Sequence, residues 1–592
     1  MKQFIKDLLS VGFLFVALLA MFSLIWTWHI WGDVHIEQIF INLEDGVSQV
    51  SADTLKGYYI AFGAALIMAV LMPAFIKKNR YLFVIGALCL AFVFYQTGIV
   101  LYLLNKHIYT DLYEKEYVAP ENITYTFPLK KRNLIVVYLE SMEADYADPQ
   151  LAGKNLIKNL SAHMQNDLSF EGFYQIKHQD YTIAAMVESM CAIAYRNNIF
   201  HSALGYQNFL SGAVCYPQIL RQNGYRTYFM KGASIKFART GLFMSQHGFD
   251  SAQGKVELEK KYHIPIDKNM GAFSGYRDSV LFEMAKLKLN EISQKDEPFL
   301  LAMITLDTHT PDIYLDQKCT GKSDDIKAVI SCTDQLVEQF LDWIKVQPFY
   351  DNTTVVVLSD HPYTGKNRMY PNHKDRKIVN FILNPATKKM PKHHKAFTTL
   401  DIAPTILNAI GVEFKDGRFG LGRSLFEDTP TLFEVMGHAL ETEFSKASHV
   451  YEGFEELKAA ITPTYKPYPA FGVLVDDLET IESYTTYSNT IIDAVYLNDI
   501  SFRLPFEQAA DVTMKVRFKA MLNNKHERHI RVFANGFLLD EWDLSAKDKQ
   551  PIVKQIRIKK EYFKDNRLAM EFLADDPFIE TMSIGLMSFE FE

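Results

Sequence analysis

Three long apolar segments fill most of the first 105 residues, and they limit the possible folds more than any other feature. They run from about Leu8 to Trp28, from about Tyr58 to Ile76 and from about Tyr81 to Leu104. Each approaches the ~20 residues that a helix needs to cross a bilayer. Three tryptophans, Trp26, Trp28 and Trp31, cluster at the end of the first segment, where interfacial aromatic residues are expected. The sequence therefore predicts a region of about three transmembrane helices in residues 1–105.

The charges of the short loops orient these helices. Lys2 and Lys6 precede the first segment, the basic turn at residues 77–80 joins the second to the third, and the loop at residues 32–56 is mainly acidic. By the positive-inside rule the N-terminus and the basic turn are cytoplasmic. The first segment lacks an obvious cleavage site, so we expect an anchor and not a removed signal peptide. Everything after residue 105 is therefore predicted to be extracytoplasmic.

Cysteine usage agrees with export. Four of the five cysteines follow the apolar region: Cys191, Cys215, Cys319 and Cys332. Four cysteines allow three pairings, and proximity in the sequence favours Cys191–Cys215 and Cys319–Cys332. An oxidising compartment would allow both disulfides to form. The net charge of −8 and the lack of a long basic run exclude a nucleic-acid partner.

Strand-like apolar runs alternate with helical patterns after a polar connector at residues 106–130. The runs are NLIVVYLES (133–141), GYRTYFMKG (224–232), PFLLAMITLDTHTP (298–311), TTVVVLSDH (353–361) and KIVNFILNP (377–385). Helical periodicity occupies stretches such as 276–293 and 333–346. This alternation is typical of an α/β domain built on a mostly parallel sheet.

Polar residues follow three of these buried runs. Glu140 ends the first, Asp307 and His309 follow the third, and Asp360 and His361 end the fourth. The carboxyl ends of parallel strands meet at one edge of a sheet, where ligands bind. Carboxylates and imidazoles at such an edge can share one metal ion, although each residue alone could be an ordinary loop residue.

Thr182 begins an apolar helical pattern within HQDYTIAAMVESMCAIA, residues 178–194. A threonine in this position is ordinarily an N-cap whose hydroxyl accepts from a backbone N–H. The alternative is a nucleophile, seated where the helix N-terminus can hold a phosphate. Position alone favours the N-cap, and the accompanying set of metal-binding residue types favours the nucleophile.

Seven segments together resemble the membrane-anchored phosphoglycerol transferases of the sulfatase and alkaline phosphatase superfamily, which include lipoteichoic acid synthases. The resemblance covers roughly residues 105–425. It is carried by NLIVVYLES, YTIAAMVESMCAI, FARTGLFMSQHGFD (237–250), LDTHTPD (306–312), SCTDQL (331–336), VVVLSDH and GLGRSL (420–425). It implies an enzyme of a bacterial inner membrane with its catalytic domain in the periplasm.

The resemblance also implies residue roles. Glu140, Thr182, Asp360 and His361 match a site for one divalent metal, Mn²⁺ or Mg²⁺ more than Zn²⁺, and Thr182 matches the catalytic nucleophile. His309 matches a histidine that contacts the phosphoglycerol group. The glycerol end is expected near Arg277 and Asp278, which follow an altered Asn269-Met270-Gly271 pattern. Arg376, near the predicted sheet edge, is a further candidate for phosphate contact.

The implied reaction transfers phosphoglycerol from phosphatidylglycerol to a hydroxyl of an extracytoplasmic glycan through a covalent threonine intermediate. The main alternative is a phosphoethanolamine transferase acting on lipid A or a glycan, and another is a catalytically silent glycan-binding membrane protein. Sulfatase activity is disfavoured because Thr182 precedes Ile-Ala-Ala-Met, without the Pro and Arg of the sulfatase signature. The oligomeric state and the acceptor stay open.

The predicted domain order is completed by three segments. The catalytic domain is expected at residues 131–427 and a helical or irregular linker at 428–484. Short alternating segments such as DVTMKVRFK (511–519) and RHIRVFANG (528–536) then predict a small β-sandwich at 485–592.

Overall fold

A computed structural model describes residues 2–196, 209–455 and eight strands between residues 495 and 591. Within the first two ranges, the residues left out are 33–34, 37, 40–51, 77, 267–269, 272–273, 311–312, 323–324, 366–368, 371–372, 374 and 390–394. The described residues fall into two compact units, of which the first extends to Glu456 and the second lies mainly at residues 457–592.

Three N-terminal helices are long and apolar enough to cross a membrane, as predicted. They are α1 (Lys2–Trp31), α2 (Ala52–Phe75) and α3 (Asn79–Gln96). Leu14, Ala17 and Leu18 of α1 pack against Ala65 of α2 and Leu82 of α3. Gly98, with φ +69°, separates α3 from the short helix α4 (Ile99–Asn105), so the third apolar segment is interrupted near its end.

A six-stranded sheet forms the centre of the first unit. Its strands are β1 (Asn133–Leu139), β2 (Arg226–Lys231), β3 (Ser251–Gln253), β4 (Phe299–Ile304), β5 (Thr353–Ser359) and β6 (Asn380–Leu383), in the spatial order β3-β2-β4-β1-β5-β6. All neighbouring pairs are parallel except β5 with β6, which is antiparallel. The mostly parallel sheet predicted from the sequence is therefore confirmed.

Helices cover both faces of this sheet. Beyond α4, the helices of the unit are α5 (Leu112–Glu116), α6 (Pro149–Ala152), α7 (Lys158–Asn166), α8 (Thr182–Cys191), α9 (Tyr216–Gln222), α10 (Thr240–Gln246), α11 (Lys255–Tyr262), α12 (Asp278–Ile292), α13 (Ile326–Lys345), α14 (Ile402–Ala409), α15 (Leu432–Met436), α16 (Ala439–Ser445) and α17 (His449–Glu455). Alternate residues of β1 enter two different cores: Val136 and Tyr138 pack with α8, α9 and α14, whereas Ile135 and Val137 pack with α7, α12 and α13. This two-sided burial explains why the strands read as continuous apolar runs.

Two disulfides tie helices of this unit. Cys191, at the end of α8, is bonded to Cys215, which immediately precedes α9. Cys319 is bonded to Cys332 in α13. The structure therefore contains the two pairings that proximity in the sequence favours.

The segment after residue 428 differs from the predicted linker. Helices α15–α17 belong to the first unit because Leu432, Leu440, Phe444 and Tyr451 are buried in its core. Residues 456–494, the rest of that predicted linker, lie outside the described residues. A small hairpin, β7 (Arg418–Phe419) with β8 (Gly422–Arg423), precedes these helices.

The second unit contains two four-stranded sheets. Its strands are β9 (Val495–Tyr496), β10 (Asp499–Arg503), β11 (Val512–Ala520), β12 (Arg528–Ala534), β13 (Phe537–Leu544), β14 (Ile552–Ile558), β15 (Arg567–Ala574) and β16 (Ile584–Phe591). One sheet has the order β10-β15-β12-β13 and the other β14-β11-β16-β9, with antiparallel pairing throughout. The strand pattern read from the sequence is present, and its closure into a sandwich stays a prediction.

Candidate active site

Glu140 directly follows β1 and is held by the loop that follows the neighbouring strand β4. Its backbone N–H donates to Thr305 Oγ1 at 2.9 Å, and its carbonyl accepts from Thr308 Oγ1 at 2.5 Å. Ser141, in a left-handed conformation with φ +54°, donates its hydroxyl to Glu140 Oε1 at 2.7 Å. The loop after β4 therefore positions the carboxylate at the end of β1.

Asp360 and His361 follow β5, the neighbour of β1. Asp360 Oδ1 accepts from the backbone N–H groups of Ser141 at 2.9 Å and His361 at 2.8 Å. The Nδ1 atom of His361 lies 2.9 Å from the carbonyl of Pro362 and so donates to it, which makes Nε2 the lone-pair nitrogen. This Nε2 lies 3.4 Å from Asp360 Oδ2 and 3.9 Å from Glu140 Oε1.

Glu140, Asp360 and His361 form a buried cluster that fits a metal ion. One ligand atom from each lies within 4.8 Å of the others, and all three side chains are buried. Among the residues that the structure describes, Asp360 Oδ2 has no hydrogen-bond partner. Burying an unpaired carboxylate oxygen beside a second carboxylate is costly unless a cation neutralises the pair. The donor set of two carboxylates and one imidazole is suited to a divalent cation.

The two neighbouring carboxylates of the cluster change the pKa values of its residues. Burial and the neighbouring Glu140 carboxylate raise the pKa of Asp360 to about 7. Burial opposes protonation of His361, but the carboxylates of Asp360 and Glu140 outweigh it and raise the pKa of this imidazole. Without a cation, the cluster therefore retains a proton that its residues would ordinarily lose.

Thr182 is the first residue of α8, and its hydroxyl is directed at this cluster. Tyr181 occupies the N-cap position, so the N-cap interpretation of Thr182 is wrong. The Thr182 hydroxyl instead donates to Glu140 Oε2 at 3.2 Å. The side chain is half-buried and thus open to a substrate from one side.

His309 lies in the loop after β4 and is half-buried. Desolvation and the nearby His361 lower the pKa of its imidazole to about 4. At neutral pH this histidine is therefore uncharged and can accept a proton.

Asp278 and Arg277 hold the loop after β4 at the start of α12. The Asp278 carboxylate accepts from the backbone N–H groups of Leu306 at 2.7 Å and Asp307 at 3.1 Å, and burial raises its pKa. Arg277 is buried, with its guanidinium 5.8 Å from the ring of Tyr314. Asp278 therefore has a structural role, because it holds the loop that carries His309. The sequence had predicted a role in substrate binding for this residue.

Arg376 is engaged inside the protein. Its Nε donates to Glu143 Oε2 at 3.0 Å, and its Nη2 contacts Glu143 Oε1 and the carbonyl of Tyr363. Glu143 Oε1 also accepts from the Tyr363 N–H at 3.0 Å. The guanidinium therefore joins the loop after β1 to the loop after β5, and this internal pairing differs from the phosphate contact expected from the sequence.

Sequence reasoning did not single out several residues that build the site. Ser141, Thr305, Thr308 and Ser359 hold the ligand-bearing loops through side-chain hydrogen bonds, among them Met142 N–H to Ser359 Oγ at 2.8 Å. All four directly adjoin a predicted site residue or a strand end, which is the one signal that the sequence offers. Asn269 of the altered Asn-Met-Gly pattern lies outside the described residues.

The central part of the chain is similar to known proteins. The sequence model of the sulfatase family matches residues 132–412. Phosphoglycerol transferase I of Escherichia fergusonii is 32% identical over 311 residues, which are 50% of this chain and 39% of that protein. The matched part thus spans about two fifths of this relative's length.

Solved structures are also similar to the chain. An alkaline phosphatase superfamily protein from Vibrio parahaemolyticus is 21% identical, with a TM-score of 0.44, over 57% of this chain and 79% of that one. The lipoteichoic acid synthase LtaP from Listeria monocytogenes is 19% identical, with a TM-score of 0.40, over 52% and 78%. Residues 132–412 match the sulfatase family model, and this range contains all six strands of the central sheet.

Proposed function

We propose that the protein is a phosphoglycerol transferase that moves a phosphoglycerol group from phosphatidylglycerol to a hydroxyl of an extracytoplasmic glycan. The observation that carries this proposal is the Thr182 hydroxyl, which donates to Glu140 inside the buried Glu140–Asp360–His361 cluster. The names of relatives such as phosphoglycerol transferase I support the choice of transferred group.

Glu140, Thr182, Asp360 and His361 would hold one divalent metal. The oxygen-rich set favours Mn²⁺ or Mg²⁺ over Zn²⁺. When bound, the ion lowers the pKa of the threonine hydroxyl and neutralises charge on the phosphoryl oxygens.

Thr182 is the nucleophile of the proposed first step. Its Oγ1 forms a bond to phosphorus, the bond from phosphorus to the diacylglycerol oxygen breaks, and that oxygen ends with the proton of the threonine hydroxyl. The hydrogen bond to Glu140 orients the hydroxyl, and its half-buried position leaves one side open for the donor.

The N-terminus of α8 assists by binding the phosphoryl oxygens. Within this ten-residue helix, Ala185 donates its N–H to the carbonyl of Tyr181 at 3.1 Å. The preceding N–H groups lie before the first intrahelical bond and face the N-terminus, where an anion is stabilised.

An acceptor hydroxyl then attacks phosphorus in the second step. Its oxygen bonds to phosphorus, the bond to Thr182 breaks, and the acceptor proton returns to the threonine oxygen. We assign to His309, which is uncharged at neutral pH, the relay of this proton.

The membrane helices supply the setting for a lipid donor. We place the N-terminus in the cytoplasm and residues 132–412 outside the inner membrane, on the evidence of the basic turn at residues 77–80 and three candidate spans. The two disulfides support an oxidising compartment.

The test is head-group transfer by the full chain in vesicles. Phosphatidylglycerol labelled in its head-group glycerol should transfer label to a glycan acceptor in the presence of Mn²⁺, and Thr182→Ala should abolish this transfer. Phosphatidylethanolamine labelled in its head group is the matched control. Transfer from the ethanolamine lipid alone would contradict the proposal and favour a phosphoethanolamine transferase.

A further inference from the structure

The chain just after α1 folds into a short turn that meets the ends of the candidate spans. Gln38 and Ile39 donate their N–H groups to the carbonyl of His35 at 3.1 and 3.2 Å. The Gln38 side chain returns to accept from the His35 N–H at 2.9 Å. The turn is therefore braced by its own hydrogen bonds.

This turn is attached to the end of α3. The Ile36 N–H donates to the carbonyl of Thr97 at 3.1 Å, directly after α3 ends at Gln96. The His35 ring lies so close to Gly98 that a Cβ at Gly98 would be 2.7 Å from its Nε2. The turn thus lies where α1 and α3 end on the same side.

The other side of the turn contacts the segment that leads into Thr182. The rings of His35 and His178 have centroids 4.0 Å apart, and Gln38 Nε2 donates to Asp180 Oδ1 at 3.5 Å. Asp180 is also near enough for its charge to act on His361. The turn therefore contacts the approach to the cluster through two side chains.

The segment it contacts is rigidly held. The Gln179 side chain donates to the carbonyl of Tyr195 at 2.8 Å and accepts from the Tyr195 N–H at 3.0 Å. His178 adopts a left-handed conformation with φ +65°. The contacts of the turn therefore reach a hydrogen-bonded segment only four residues before Thr182.

These contacts place the nucleophile within reach of a lipid head group. Four residues span at most roughly 14 Å, and the head-group layer on each side of a bilayer is about 5–7 Å thick. A donor anchored by its acyl chains beside α1 and α3 would bring its polar part past the His35–His178 pair before reaching Thr182.

We propose that His35, Gln38, His178 and Asp180 form the donor side of the active site and select a membrane-embedded phosphodiester over a water-soluble one. In this proposal the His35–His178 pair lies on the path of the lipid's phosphate and glycerol backbone. Asp180 accepts from the Gln38 amide and so fixes the turn, which holds the pair against the ends of the spans. The inference rests on the proposed function and adds to it the residues that recognise the donor as a lipid.

The test compares two donors with the full chain. One is phosphatidylglycerol in vesicles, and the other is the soluble diester glycerol 4-nitrophenyl phosphate, which needs the same nucleophile but has no acyl chains. For His35→Ala and for Gln38→Glu, kcat/KM with the lipid should fall about tenfold, whereas kcat/KM with the soluble diester should stay within about twofold. The soluble reaction also reports that each variant is folded.

His449→Ala is the matched control. His449 stacks on Tyr109 at a centroid distance of 4.1 Å and is exposed, so this variant removes a similar ring contact elsewhere. Its rates with both donors should equal those of the parent. An equal loss with both donors in the turn variants, no loss with either, or the same lipid-specific loss in His449→Ala would overturn the inference.

The proposed function has a separate readout in the same experiment. If the unsubstituted chain cleaves the soluble diester but leaves phosphatidylglycerol intact, the proposed donor is wrong. If the unsubstituted chain uses both donors, the variants alone decide the inference.

Discussion

Ionisation of Asp360 lowers the stability of the metal-free protein. The Asp360 pKa of about 7 in the fold lies above the ordinary value of about 3.9. Ionisation therefore destabilises the metal-free fold by an amount that grows as the pH rises from about 4 to about 7 and is complete above about pH 7. Below about pH 4 the residue is protonated in both states and contributes nothing. A bound cation would remove this cost.

Asp360→Asn mimics the protonated side chain, and its effect on stability should depend on pH. In the presence of a chelator it should raise Tm by several degrees near pH 8, by less near about pH 5.5, and have little effect near pH 4. Mn²⁺ should then raise Tm of the parent more than that of the variant. Thermal unfolding at these pH values measures both effects, and an equal shift at all of them would show that Asp360 does not carry the raised pKa.

The Arg376–Glu143 pair joins the two loops that carry the cluster. Glu143 is buried, so Arg376→Gln leaves a buried carboxylate without its guanidinium partner. We expect a loss of about 3–5 kcal/mol in the free energy of unfolding. Denaturant unfolding of the full chain measures it.

Arg226→Gln is the control for this prediction. Arg226 pairs with Glu297 at 2.8 Å, but both side chains are substantially exposed to solvent. Its removal should cost no more than about 1 kcal/mol. Similar losses in the two variants would mean that burial of the Arg376–Glu143 pair has no particular importance.

Helix α8 joins the nucleophile at one end to a disulfide at the other. Replacing Cys191 and Cys215 with alanine should lower the free energy of unfolding by about 3 kcal/mol through loss of the cross-link. It should also reduce transfer activity at temperatures well below Tm, because α8 positions Thr182. Unfolding and activity measured on the same preparation test both parts.

The Cys319→Ala/Cys332→Ala pair of substitutions separates stability from positioning. This disulfide links α13 to the loop before it and should contribute a similar free energy of about 3 kcal/mol. Its loss should leave low-temperature activity close to that of the parent. Equal losses of activity in both variants would argue against a positioning role for α8.

Among the secondary-structure elements, the central strands were predicted most directly from the sequence. β1, β4 and β5 are buried on both faces, so their apolar runs identified them and the polar residues at their ends predicted the cluster. The antiparallel pairing of β6 with β5 is a tertiary contact, which local composition does not encode. Helices α15–α17 were predicted to be part of a linker because several prolines follow them in the sequence. Their side chains are instead buried in the core of the first unit, so the domain extends further than predicted.

The sequence was less informative about the role of a single residue when that role depends on a partner far away in the chain. An N-terminal threonine of a helix is ordinarily a cap, and only the location of Glu140 shows where the Thr182 hydroxyl points. Arg376 stands near a strand end, as a phosphate ligand would, but Glu143 lies 233 residues away in the chain and takes the guanidinium. Such pairings arise from tertiary structure.

The charges of the short loops around the three candidate spans predict that the chain after residue 105 lies outside the cytoplasm. A reporter enzyme active only outside the cytoplasm should be active when fused after residue 105. A fluorescent protein that matures only in the cytoplasm should fluoresce when inserted in the turn at residues 77–80, because this basic turn is expected inside. The reverse pattern would place the candidate active site in the cytoplasm and contradict the assignment of a periplasmic domain.

The most direct test of the account is the mass of the peptide that contains Thr182. The full chain with phosphatidylglycerol and Mn²⁺, quenched with acid before an acceptor is added, should carry a glycerophosphoryl group on Thr182. The peptide should return to its unmodified mass when acceptor is supplied, and Thr182→Ala should remain unmodified. Continued transfer by Thr182→Ala, or a glycerophosphoryl group on another residue, would contradict Thr182 as the nucleophile.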